Sequence, residues 1–250
     1  MCGIAGIFHT RREPVARYAV TRMCQKLAHR GPDGEGAYVE DNVALGHKRL
    51  AILDTSPLGS QPMSSKNGEW HVTFNGCIYN FLELQQELKA AGHHFVSGSD
   101  TEVLVESLAA YGVAAISRFN GMFAVGAWHK PTRTLYLFRD RFGVKPLYYW
   151  FRNGLFLFAS EVKAILAHPR VSTQLNPEAL NEYFTFQNLF SDNTLFDGVR
   201  LLPAGAYLRL DEQTEQLRPE IWWDYDFTQP DESMTFEDAQ SETERLMRRA

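Results

Sequence analysis

MCGIAGIF, residues 1–8, puts a cysteine directly behind the initiator methionine. From Gly3 onward the stretch is apolar and carries glycines at 3 and 6, which reads as a strand that neighbours approach closely. Chain ends normally fray, so a strand beginning here with a thiol calls for an explanation. Taken alone, Cys2 reads as a small buried hydrophobe. Its other reading is chemical. Once Met1 is removed, thiol and α-amine sit on one residue. The amine titrates at about pKa 7.7–8.0 and can serve as base without a histidine, while the thiolate is the nucleophile.

Outward from this strand, Val15, Ala19, Met23 and Leu27 repeat every four residues and predict a helix over Pro14–His29. HRGPDGEG (29–36) is dense in turn formers and reads as a loop. Strands are expected at Ala37–Glu40, Val43–Leu53, Trp70–Phe74, Met122–Trp128, Thr134–Phe138, Leu147–Phe151, Leu155–Ala159 and Gly205–Leu210. Helices are expected at Asn80–Ala91, Asp100–Tyr111, Glu161–Ala167 and Pro177–Phe186. Ser99 and Glu102 have the spacing of a capping box, and Asn176 with Pro177 forms a helix start. Helices that cluster between groups of strands favour a layered α+β fold over a parallel barrel. Asp224–Met234, polar and containing Pro230, reads as a linker. Thr235 then opens a helix, with Asp238 in capping position, that runs to Ala250 without a Gly or Pro stop. This predicts a domain over 1–223, with 224–250 a linker and the start of a further domain.

A net charge of −5 without a basic cluster argues against nucleic acid as a partner. No apolar run is long enough to cross a membrane, and Gly3–Phe8, followed by Arg11 and Arg12, is too short for a signal peptide. Three widely spaced cysteines, Cys2, Cys24 and Cys77, are poor material for a disulfide framework and point to a reducing, cytoplasmic setting. The histidines fall in no ligand spacing, so no metal site is expected.

Three further segments carry candidate chemistry. FNGCIYN (74–80) offers the Asn75 side-chain amide and the Gly76 N–H as oxyanion donors, although Asn-Gly is also a strong hairpin-turn signal. GHKRLAIL (46–53) places Arg49 in an apolar strand, either snorkelling at an edge or gripping a carboxylate. SGSDTEV (97–103) offers Asp100 at a helix start, a cap or an anchor for an ammonium. Together they supply a nucleophile, an oxyanion hole and anchors for both ends of an amino acid. A substrate with those parts plus an amide carbonyl is glutamine or asparagine.

MCGIAGIF, HRGPDGEG, LGHKRLAILD, GSQPM, FNGCIYN, SGSDTEVLVE, FNGMFAVGAW, RDRFGVKPLYY, FASEVKAIL and LPAGAYL, in this order over about residues 1–210, resemble the glutaminase domain of class II glutamine amidotransferases of the asparagine synthetase type. The resemblance implies an N-terminal nucleophile hydrolase fold, a four-layer αββα sandwich of two antiparallel sheets. It implies that Cys2 attacks the side-chain amide of L-glutamine, Asn75 and Gly76 hold the oxyanion, Arg49 binds the α-carboxylate and Asp100 the α-ammonium. Ammonia would pass to a C-terminal synthetase domain using ATP and Mg²⁺, a domain not expected in this chain, which itself needs no cofactor. RDRFGVKPLYY would lie toward that partner domain, and such relatives often form homodimers.

One position departs from the pattern. The family has FNGEIYN, and Cys77 stands where its Glu helps to hold the substrate ammonium. Losing one charged hydrogen bond costs roughly 1.5–3 kcal/mol of binding. Cys77 is also expected near Cys2, where the two could pair on oxidation. Two other readings stay open: an acylase of the same fold for other amides, which the Arg49–Asp100 pair disfavours, and a non-catalytic domain kept for assembly or regulation.

Overall fold

The computed structural model describes residues 1–228, 231 and 233–249. The chain runs β1 (Gly3–His9), α1 (Arg17–Gln25), β2 (Gly34–Glu40), β3 (Val43–Arg49), β4 (Met63–Ser64), β5 (Trp70–Ile78), α2 (Phe81–Ala90) and α3 (Asp100–Tyr111). It continues through β6 (Gly121–His129), β7 (Thr134–Arg139), β8 (Tyr148–Arg152), β9 (Leu155–Ala159), α4 (Val162–Leu166) and α5 (Pro177–Phe186). The last elements are β10 (Val199–Leu201), β11 (Ala206–Leu210), β12 (Glu220–Ile221) and α6 (Phe236–Arg249). The strands form two six-stranded antiparallel sheets, ordered β10-β8-β9-β1-β3-β2 and β12-β11-β7-β6-β5-β4.

All seven residues of β1 are buried, because both faces of its sheet are covered. Ile4 and Phe8 point inward with Leu45, toward Ala124, Trp128 and Leu137 of the other sheet. Ala5 and Ile7 point outward, under Val20, Met23 and Leu27 on or just beyond α1. On the far side Leu104 and Leu108 of α3 cover Val72, Phe74 and Phe123. The α+β reading and its four layers, helix, sheet, sheet, helix, are therefore the observed architecture.

Three contacts pin the sheets together. The Phe158 ring of β9 lies over Gly6 and reaches Gly126 of the opposite sheet. A Cβ on Gly6 would stand 2.1 Å from that ring, and one on Gly126 2.4 Å from it. Beside the ring, Thr73 Oγ1 donates to the Gly46 carbonyl at 3.0 Å, and His47 Nε2 donates to the Phe74 carbonyl at 3.2 Å. His47 is fully buried, and burial lowers its pKa to about 4, so it is a neutral donor.

The structure corrects several boundaries. The first helix starts at Arg17, not Pro14, because the Val15 N–H is held by the Asp41 carbonyl in the β2–β3 turn. The expected 29–36 loop gives up Gly34–Gly36 to β2, where they pair with Arg49–His47. Strand β3 ends at Arg49 rather than Leu53. Beyond it the Leu50 N–H turns to Cys2 Sγ and the Ala51 N–H to Asp33. Strand β5 runs on through Ile78, so Asn75-Gly76 is no hairpin turn. The short strands β4, β10 and β12 were not expected. Ser99 caps α3 through the Thr101 N–H, but Glu102 accepts from the Val96 and Ser97 N–H groups instead of closing a capping box. At α6, Thr235 and Asp238 do cap each other reciprocally. The expected linker and last helix fall partly on residues 229, 230, 232 and 250, outside the described residues.

Gly126→Ala should drive a methyl into the Phe158 ring, and overpacking of this kind costs about 1–3 kcal/mol. At roughly 2–4 °C per kcal/mol, the melting temperature should fall by about 2–12 °C, and Phe158→Leu in the same chain should recover part of the loss. Thermal unfolding of the single and double variants checks this.

Candidate active site

Cys2 stands one residue before β1, which is flanked by β3 and β9 and therefore cannot drift. Its Sγ accepts from the Leu50 N–H at 3.4 Å and lies 3.6 Å from the Leu50 carbonyl. The Cys2 carbonyl accepts from Arg30 Nε at 2.9 Å, and Arg30 is in turn paired with Glu161 at 2.9 Å. Burial alone would raise the Glu161 pKa, but hydrogen bonds from Arg30, Lys163 and His29 hold it down at about 2. This network fixes the main chain at the nucleophile. Burial also pushes the Cys2 thiol up, against the Leu50 N–H, the chain's amino-terminal charge and Arg49, which pull it down.

The candidate oxyanion donors, Asn75 and Gly76, lie on β5 beyond its short pairing with β4. Lys130 N–H to Glu69 carbonyl and Tyr79 N–H to Asn120 carbonyl fix the parity of the β5–β6 ladder. Odd-numbered residues of β5 bond to β6, and even-numbered residues turn their N–H groups away from it. The Phe74 N–H donates to Gln61 Oε1 at 2.6 Å, and the Ile78 N–H donates to Asp100 Oδ2 at 3.0 Å. Between them, among the described residues, nothing accepts from the Gly76 N–H. No side chain fits at this position, since a Cβ on Gly76 would lie 2.2 Å from the Met122 carbonyl oxygen. Asn75 is 1% exposed, and among the described residues its Nδ2 has no hydrogen-bond partner. A buried amide N–H left unpaired costs about 1–3 kcal/mol, so the empty site carries a donor waiting for an acceptor.

Arg49 closes β3, with Nη1 donating to the Ser56 carbonyl at 2.8 Å and Nη2 to the Asp54 carbonyl. Both bonds are to neutral oxygens, and among the described residues Arg49 forms no ion pair, although its charge helps to lower the Asp54 pKa; its forked guanidinium suits a carboxylate. Asp100 starts α3 and is nearly buried. Burial raises its carboxyl to about 6, with N–H groups of Ile78 and the helix start pulling the other way. Cys2, Arg49, Asn75, Gly76, Cys77 and Asp100 all line one cavity of about 200 Å³, so every residue expected from the sequence converges there. Cys2, Cys24 and Cys77 are free thiols. Cys24 is a packing residue, its thiol pushed by burial to about 12.

Among the wall residues that the sequence does not mark as functional are Gln61 and Lys145. Gln61 spans the site, its amide donating to Thr101 Oγ1 at 3.1 Å while its carbonyl receives the Phe74 N–H. The GSQPM motif was the available signal. Among the described residues no group of three or more His, Cys, Asp or Glu could hold a metal ion, and no helix is long and apolar enough to cross a membrane.

The raised carboxyl of Asp100 has a stability consequence. The folded chain binds this proton more tightly than the unfolded chain. That advantage is complete below about pH 4 and is lost as pH rises through about 6, so ionised Asp100 weakens the fold at neutral pH. Asp100→Asn, which keeps an oxygen for the Ile78 N–H, should stabilise the chain at pH 7.5 by up to about 3 kcal/mol. The gain should shrink toward zero near pH 4, read by thermal unfolding at both pH values.

The glutamine amidotransferase domain family matches residues 1–223. The chain is 38% identical over 211 residues to an asparagine synthetase [glutamine-hydrolyzing] of Bacillus subtilis, a match covering 82% of this chain and 33% of that protein. It is 35% identical over 242 residues to the amidase chry2 of Gibberella zeae, covering 91% and 35%. The chain thus spans about a third of the length of these relatives. A glutamine phosphoribosylpyrophosphate amidotransferase from B. subtilis shares the fold, with a TM-score of 0.66 at 20% identity over 89% of this chain and 49% of that one. The match over residues 1–223 settles the family: this chain belongs to the glutamine amidotransferase domain family, and glutamine-hydrolysing asparagine synthetases are among its relatives.

Proposed function

We propose that the cavity hydrolyses L-glutamine to glutamate and ammonia through a thioester on Cys2. The observation that carries this reading is the pair of unpaired donors, Asn75 Nδ2 and the Gly76 N–H, in one cavity with the thiol. Arg49 takes the α-carboxylate and Asp100 the α-ammonium, which directs the side-chain amide toward Cys2. The thiol proton passes to the Cys2 α-amine, free after removal of Met1, and sulfur attacks the amide carbon. The oxyanion that forms accepts from Asn75 and Gly76, where a preorganised donor is worth about 3–4 kcal/mol. Collapse breaks the C–N bond, and the amine returns the proton to the departing nitrogen, which leaves as ammonia. The amine then takes a proton from water, whose oxygen attacks the thioester through the same donors. Glutamate leaves and Cys2 recovers its proton.

In a longer protein, residues 224–250 would lead into a synthetase domain that receives the ammonia, and ATP and Mg²⁺ would be used there and not by residues 1–223. The three free thiols suit the reducing interior of a cell.

With Met1 removal confirmed by intact mass, ammonia release from glutamine should be abolished by Cys2→Ala. Asn75→Ala should lower kcat by about 10²–10³-fold with KM changed far less. Ammonia release that survives Cys2→Ala overturns the proposal. Cys77→Glu should restore a second carboxylate for the substrate ammonium and lower KM by roughly 10- to 100-fold, read from initial rates.

A further inference from the structure

Residues 139–145 have no task in the reaction just described, yet they are tightly braced beside the cavity. The Asp140 carboxylate, fully buried, accepts the N–H groups of Phe123 at 3.1 Å, Phe142 at 3.1 Å, Val144 at 2.9 Å and Lys145 at 3.0 Å. The Arg139 guanidinium donates to the carbonyls of Gly143 at 2.6 Å, Lys145 at 2.9 Å and Leu202 at 2.5 Å. The loop so held sets Lys145 into the cavity wall with Cys2 and Cys77, 5% exposed.

Its ammonium has an unusual environment. The hydrogen bond it makes is to Met1 Sδ at 3.2 Å, a weak acceptor. Among the described residues no carboxylate forms an ion pair with it, and Asp140 is occupied by four N–H groups. Burial, and then the charge of Arg30, lower the Lys145 pKa, against the charges of Asp140, Cys77 and Cys2, which raise it. A buried cation that forms no ion pair is costly, and an anion forming beside it offsets the cost. The other charges facing Cys2 are committed. Arg30 is paired with Glu161, Arg49 is assigned to the substrate carboxylate, and Asp100 acts in the opposite sense by favouring the neutral thiol. The Cys77 thiol, in the same wall, is pushed up by burial and by Asp100, against the charge of Lys145.

We infer that Lys145 is a positioning residue for the nucleophile: once Met1 and its sulfur have gone, its ammonium faces Cys2 and holds that sulfur as the thiolate. The proton lost by sulfur goes to the α-amine, and Lys145 keeps its own three protons throughout.

The inference rests on Cys2 being the nucleophile, not on the identity of the substrate, and its test needs no glutamine. The mature chain is alkylated with iodoacetamide from pH 5 to 10, and modification is read at the Cys2 peptide by mass spectrometry. Lys145→Met should move the alkylation midpoint up by at least one pH unit and slow alkylation at pH 7.5 about tenfold. Lys145→Arg, which keeps the charge, should follow the parent curve. Where Lys145→Met does not melt cooperatively, Lys145→Gln is read by the same criterion. A neutral variant that follows the parent curve overturns the inference, as does Lys145→Arg shifting as far as Lys145→Met. A chain whose Cys2 profile depends on Lys145 but which releases no ammonia from glutamine would retire the substrate and keep the lysine.

Discussion

One aromatic ring sets the distance between the halves of this molecule. Phe158 fills the gap that Gly6 and Gly126 leave open, and the hydrogen bonds Thr73–Gly46 and His47–Phe74 cross the same interface. Cys2 precedes β1 in one sheet, and Asn75 and Gly76, the proposed oxyanion donors, lie on β5 in the other. Neither sheet holds a site by itself. A spacing changed by one methyl group alters the distance over which sulfur must meet a carbonyl, and effects of that size matter in near-attack geometry.

The empty cavity is a place of unmet demands. Asn75 offers a buried N–H with no acceptor, Asp100 a carboxyl raised by burial, and Lys145 an ammonium whose acceptor is a thioether. Each weakens the unliganded fold, and each would be relieved by a specific part of an amide-bearing amino acid or by the charge that its reaction creates. Elements that must be exact, the thiol and the two donors, sit on strands with partners. The anchors sit where strands and helices begin or end, at Arg49 and Asp100, where side chains reach into the space that regular structure vacates.

The local pattern of the chain was enough to locate β1 and the helix starts at Asn176 and Thr235, and pattern and resemblance together picked six residues that line one cavity. It failed where long-range pairing overrides it. Asn-Gly reads as a turn until nine residues of β6 pair along β5 and the Asp100 carboxylate receives the Ile78 N–H. Leu50 to Leu53 reads as more strand because it is apolar, but Ile52 is 71% exposed, since Cys2 Sγ claims the Leu50 N–H and turns the chain away. Edge strands of two or three residues leave almost no periodic signal. Lys145 stayed hidden because its placement depends on Asp140 and Arg139 folding a loop back on itself, and no spacing rule encodes that.

The position of β1 in its sheet bears on when the chain can mature. Its two neighbours are β3, made soon after it, and β9, made some hundred and fifty residues later. In the finished fold the Cys2 main chain is held from its carbonyl side by Arg30, and the strand beyond it is buried along its whole length. Met1 itself is 56% exposed, and β9 pairs with β1 only from Ala5 onward, so on the proposed reading an aminopeptidase reaches the Met1–Cys2 bond whether or not β9 is in place. Trimming and closure of the sheet would then be independent in order, with the amine freed at a chain end that the finished sandwich leaves open.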